Sequence, residues 1–162
     1  MSAPLTSLNL DRQLAAAGSP AATFAALWDS LWDQPYLSAQ LLELCRLTLA
    51  RLHQDAAELA AHNPHVPPGS LPQEQRAALL AGAALHRGPF SAVERAILDF
   101  AQTYALDAQS LTDAQAAAVK QQLGERGLVF LIEALGCLDA RIRAARCLRD
   151  LARHAPAGTD DG

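Results

Sequence analysis

The decapeptide HQDAAELAAH, residues 53 to 62, places Asp55, Glu58 and His62 at i, i+3 and i+7. On one continuous helix these would share a face. Glu43 lies upstream in the same apolar segment. Carboxylates beside an imidazole can abstract and return a proton next to a carbonyl, provided burial or like-charge repulsion tunes them toward neutrality. The same four side chains also offer oxygen and nitrogen donors to a divalent cation. No His-Glu-x-x-His motif or paired histidine ligands accompany them, so neither metal nor cofactor is expected. Against both readings stands a plainer one. Asp55 and Glu58 would then be the wet face of an amphipathic helix, with His62 and Asn63 closing it before Pro64. The flanking His53 and His65 are expected to be solvated.

The elements that must hold these residues are helical. Val, Ile and Thr are scarce beside Ala, Leu, Gln, Glu and Arg, and no stretch alternates for long, which is helical composition. Leu5 to Ala17 reads as a short first helix stopped by Gly18, with Ser19 as N-cap and Pro20 at the first position of the next. That second helix carries Phe24, Leu27, Trp28 and Leu31 on one face. Ser38 can cap a long third segment reaching His62, as one helix or two abutting ones. NPHVPPGS is a loop. Ser70-Leu71-Pro72-Gln73 has the form of a capping box opening a helix over about 72 to 85. Ser91 to Glu94 and Thr112 to Gln115 repeat the pattern, the latter starting a helix that stops near Gly124. Glu125 to about Arg153 can be one last helix, with arginines toward its C-terminus.

A chain of 162 residues, 51% hydrophobic and 19% charged, suits one compact domain rather than a disordered chain. The boundaries expected are 1–155 for the domain and 156–162 for a disordered tail. A net charge of −4 gives no electrostatic reason to expect nucleic acid or an anionic membrane as partner. The N-terminus lacks the pattern of a signal or transit peptide, and LVFLIEALGCL is too short to span a bilayer. A cytoplasmic location is the expectation. Cys45, Cys137 and Cys147 have no metal-type spacing. On one helix Cys137 and Cys147 stand about 15 Å apart, too far to pair, so buried apolar side chains are expected here.

ELCRLTLARLHQDAAELAAH, residues 43 to 62, resembles the central segment of the carboxymuconolactone decarboxylase and alkylhydroperoxidase D (AhpD-like) superfamily. In that family a glutamate opens an E-L-x-R-L helix, and redox members carry C-x-x-C-x-x-x-H. The alignment puts Glu43 on the glutamate, Asp55 and Glu58 on the two cysteines, and His62 on the histidine. FAALWDSLWDQPYLSAQLLELCRL is similar to the helices leading into that site, and FSAVERAILDFAQTYALDAQSLTDAQ to the segment that follows. LVFLIEALGCLDARIRAARCL resembles the closing helix, with Ile142-Arg143 in place of the common N-R pair. The likeness covers most of residues 20 to 150. It implies an all-α, AhpD-like fold of six to seven helices that assembles as dimers, trimers or hexamers.

In the peroxidase branch the resemblance implies a thiolate attacking peroxide and a second cysteine resolving the intermediate. Asp55 and Glu58 cannot cycle through sulfenic acid or disulfide. Cys45 follows Glu43 by two residues and points about 200° away on a helix. The decarboxylase branch lacks the cysteine pair, and its histidine after a Q/E-L-x-x-H step resembles ELAAH at 58 to 62. The resemblance then implies acid and base chemistry on a small-molecule substrate, with His62 as general base or acid, Glu43 orienting or protonating, and Glu58 assisting. Arg143 or Arg46 would be chemically suited to hold an anion. Two alternatives stay open: thiol-dependent alkylhydroperoxidase activity of the peroxiredoxin type, and a non-catalytic helical oligomer acting as a binding module.

Overall fold

A computed structural model describes residues 3–154; the expected tail, 156–162, lies outside them. The described residues form seven α-helices and no strand: α1 Asp11–Leu14, α2 Ser19–Trp32, α3 Ala39–Leu52, α4 Ala56–Ala60, α5 Gln73–Leu80, α6 Ala92–Asp107 and α7 Asp113–His154. Gly124, with φ at 72° and ψ at 177°, divides α7 into two helical pieces. The fold is all-α, as the composition predicts.

The centre is α3, whose residues from Leu41 through Ala50 are buried without interruption. A helix covered on every side must be surrounded by others, and α4, α5, α6 and α7 all pack against it. Leu42, Leu44, Leu47 and Leu49 meet Ile97, Leu98 and Phe100 of α6 and Leu131, Leu135 and Ile142 of α7. Each such side chain contributes about 1.5–3 kcal/mol of burial. Glu43 and Arg46 lie in this same buried run, so the core holds charge as well as leucine.

The helix ends follow local chemistry. Ser38 Oγ accepts from the Leu41 backbone N–H at 3.1 Å. Ser91 and Glu94 form a reciprocal capping box, and Thr112 and Gln115 exchange the same pair of bonds. The turn between α2 and α3 is held by Gln34, whose amide bonds the backbone of Leu31, Tyr36 and Leu37.

Four expectations are corrected. Residues 5–10 are a non-helical strap, because Asn9 Oδ1 takes the Thr6 N–H at 2.7 Å and so competes with a helical turn. Ser19 is already helical, and Gly18 at φ 74° stands before it. Pro72, not Ser70, precedes α5, and Ser70 Oγ donates instead to Pro67 O. The helix then ends at Leu80 rather than near 85, because Gly82 at φ 67° lets Ala83 N–H reach Ala78 O.

Candidate functional site

The third segment is two helices, and the break falls inside HQDAAELAAH. Gln54 adopts φ 54°, and Asp55 N–H closes back onto Ala50 O at 2.9 Å. Asp55 is therefore the N-cap of α4, accepting from the Glu58 N–H at 3.2 Å. His62 lies beyond the last helical residue. The shared helical face of Asp55, Glu58 and His62 does not exist; each side chain goes to a different environment.

Glu43 and Glu58 instead meet through Arg46. Arg46 Nη2 and Nε donate to Glu43 Oε1 and Oε2 at 2.7 and 2.8 Å, and Nη1 donates to Glu58 Oε2 at 2.7 Å. Arg46 and Glu58 have no solvent-exposed surface, and Glu43 is 2% exposed. Burial alone would lower the guanidinium's pKa, but hydrogen bonds and charge from Glu43 and Glu58 outweigh it and hold Arg46 above its ordinary value. One cation thus bridges two carboxylates in the core.

The two carboxylates complete their bonding in different ways. Glu58 receives the backbone N–H of Ser7, and Ser7 Oγ at 2.9 Å. The strap carrying Ser7 is tied further by α7. Arg141 Nε and Nη2 donate to Ser7 O, and its Nη1 reaches Asp11, while its guanidinium lies 4.3 Å from the Trp28 ring centroid. Arg149 donates to Leu5 O and to Asp55 Oδ2, each at 2.6 Å. Asp55, 3% exposed, is a cap locked to α7.

Glu43 receives Asn63 Nδ2 at 2.6 Å and borders a cavity of about 280 Å³ shared with His62, Asn63, Val66, Leu71 and Arg76. His62 is exposed and makes no hydrogen bond or ion pair among the described residues. Arg76 Nη2 donates to Leu59 O. A second, largely apolar cavity of about 500 Å³ lies between the strap and α4, and the two share Ala60, Ala61 and His62. Of the four residues singled out in the sequence, Glu43 and His62 therefore share a cavity, while Glu58 and Asp55 are sealed in ion pairs.

The other expected participants move elsewhere. Arg46 is consumed by its two carboxylates, and Arg143 is an exposed partner of Asp139; the cation on the cavity is Arg76. His53 bonds Asp139 at 2.5 Å, and His65 stacks on Trp32 with ring centroids 5.1 Å apart. Neither is simply solvated. Burial pushes the Cys45 thiol up to about 12. It also raises Cys137 to about 11 against the pull of Arg141, whereas Cys147 is exposed. Among the described residues no three His, Cys, Asp or Glu side chains are grouped to hold a metal ion, and a guanidinium occupies the space between Glu43 and Glu58. No described helix is long and apolar enough to cross a membrane.

Ser7, Asn63 and Arg76 are absent from the sequence reading of the site. Ser7 lies 51 residues from Glu58, and no periodicity links a strap to a helix. Asn63 had a visible signal in its place at the end of α4, but its contact with Glu43 depends on how the chain turns there. No family model, curated protein or solved structure matches the chain.

Proposed function

We propose that this chain is a member of the carboxymuconolactone decarboxylase and AhpD-like superfamily that lacks the redox pair and binds a small anionic molecule at the Glu43 end of the ion triad. His62 would serve there as the acid or base. The observation that carries this reading is the convergence of Glu43, Asn63, His62 and Arg76 on one cavity. Three of the roughly four acceptor positions of the Glu43 carboxylate are taken by Arg46 and Asn63. That suits it to orient a ligand rather than to accept a proton. Imidazole is the side chain that exchanges a proton near neutral pH, and His62 has no competing partner. Arg76, anchored through one nitrogen, has donors left for a carboxylate.

Glu58 supports the site from behind by fixing Arg46. Peroxidase chemistry finds no support in Cys45, since a thiol held near 12 is not a thiolate at neutral pH. Self-association is favoured by Val129 and Ile132, which are 55% and 42% exposed on neighbouring turns of α7.

The test is solvent deuterium exchange into small carboxylic acids bearing an acidic C–H, followed by NMR on the wild type, His62→Ala and Arg76→Leu. Exchange by the wild type, lost by a hundredfold or more in His62→Ala, is expected. Exchange indifferent to His62 would remove the acid and base role. Failure of every such acid to shift the His62 ring signals would remove the site.

A further inference from the structure

The cavity at Glu43 is small for its task. Sites for small organic ligands usually enclose roughly 300–1,000 Å³, and this one has about 280 Å³. The neighbouring cavity of about 500 Å³ is walled by Leu8 and Thr6 of the strap and by Ala57 and Ala60 of α4. Ala60, Ala61 and His62 line both cavities. Ala60 and Ala61 carry no side chain beyond Cβ, so the ridge they form carries little side-chain bulk.

We propose that the two cavities form one bipartite site for an amphipathic monocarboxylate. The carboxylate would sit between Arg76 and His62, and the alkyl or aryl portion would cross the alanine ridge to lie under the strap. The inference rests on the small-anion reading above and extends it to the ligand's second half. Each half of the site lacks what the other supplies. The first has the Arg76 cation beside the Asn63 amide and the already paired Glu43; the second is mainly apolar and has no cation, and the imidazole of His62 borders both. The second wall is firm, because Glu58, Arg141 and Arg149 tie the strap at Ser7 and Leu5. A preformed apolar wall loses little entropy when a chain is laid against it.

The experiment is an NMR titration of the full chain with acetate, butanoate, hexanoate and octanoate, read at the His62 ring and the Ala57 and Ala60 methyl groups. In the wild type, affinity is expected to rise about two- to fourfold per added methylene beyond butanoate. Ala57→Leu, which fills the second cavity, should flatten that rise and leave acetate unchanged; Leu8→Gln should do the same from the opposite wall. Arg76→Leu should weaken every acid tenfold or more. Octylammonium, with the same tail and the opposite charge, should bind at least tenfold more weakly than octanoate.

Affinity independent of chain length, with short acids still lost in Arg76→Leu, would overturn the bipartite site and leave the small-anion reading standing. No His62 response to any acid would overturn both. Octylammonium binding as tightly as octanoate would show an apolar groove without the proposed head site.

Discussion

Glu43 and Glu58 share one guanidinium yet live in opposite surroundings. At the Glu58 end the strap's Ser7 supplies both further bonds, and two arginines of α7 hold that strap down. At the Glu43 end an asparagine side chain completes the bonding, and a cavity opens beside it with an unpaired imidazole on its rim. A buried ion network can thus be a fastener on one side and a support for a cavity wall on the other. What decides the difference is whether the tied strap or an asparagine side chain beside a cavity supplies the remaining bonds.

The strongest way to break the comparison is to remove the shared cation. Arg46→Met leaves two buried carboxylates uncompensated, and the expected loss is about 3–5 kcal/mol. For a domain of this size that lowers the melting temperature by roughly 10 °C, at about 2–4 °C per kcal/mol. Adding Glu43→Gln and Glu58→Gln to Arg46→Met should recover a large part of the loss in urea unfolding. If Arg46→Met alone costs under 1 kcal/mol, the triad is not what holds these helices.

Separating the two ends gives the next effect. Glu58→Gln should cost about 2 kcal/mol, because Ser7 loses a charged acceptor in a dry site. It should also speed tryptic cleavage after the exposed Arg12, just beyond the strap. Glu43→Gln should cost about 1 kcal/mol, leave cleavage at Arg12 unchanged, and alter ligand response instead. Equal proteolysis in the two variants would erase the distinction between fastener and support.

The sequence carried the helices and three of their caps, since Ser38, Ser91 and Thr112 act through bonds to residues three places away; the caps expected at Ser19 and Ser70 are not formed. It carried the buried face of α3 equally well, because leucines at helical spacing need no knowledge of the partner helices. The site was half legible. Glu43 and His62 stand near each other because the chain reverses between α3 and α4, and Gln54, an unremarkable residue type for a turn, makes that reversal. Glu58 was misread for the same reason: a continuous helix would have pointed it beside His62, whereas the break aims it at Arg46 and the strap. Arg141 and Arg149 looked like a cationic helix end; contacts 134 and 94 residues away in sequence give them their work, and no local pattern encodes such distances.

Cys45 tests the apolar side of α3 against the charged side one residue further on. Its thiol keeps its proton up to about pH 12 in the folded chain, against about 9 once exposed. Between those values the unfolded state has released a proton that the folded state retains, so stability falls as pH rises. The slope from this one group approaches about 1.4 kcal/mol per pH unit above pH 9. Below pH 9 its contribution is flat. Urea midpoints from pH 8 to 10.5 should therefore decline less steeply for Cys45→Ala than for the wild type. In the native protein a thiol reagent should label Cys147 alone, with Cys45 and Cys137 reacting only on unfolding. Peroxide turnover by the wild type that vanishes in Cys45→Ser would contradict this placement of the thiol.

Gln54 offers the smallest change and the most local one. Its φ of 54° is the only left-handed backbone among the described residues that are not glycine. A side chain there costs about 1 kcal/mol relative to glycine, because Cβ crowds the following carbonyl. Glycine also loses more entropy on folding, so Gln54→Gly should gain about 0.5 kcal/mol net. The side chain is exposed, hence no packing is lost. If the turn between α3 and α4 is what sends Glu58 inward and His62 outward, this variant should raise the urea midpoint slightly with tryptic cleavage at Arg12 and the His62 response unchanged. Gln54→Val, with a β-branched side chain that resists the left-handed region, should do the reverse: a loss of about 1–2 kcal/mol, with Glu58 and the strap loosened together. A neutral Gln54→Val would mean that the reversal is set by the ion triad and the strap, with the backbone at Gln54 merely following.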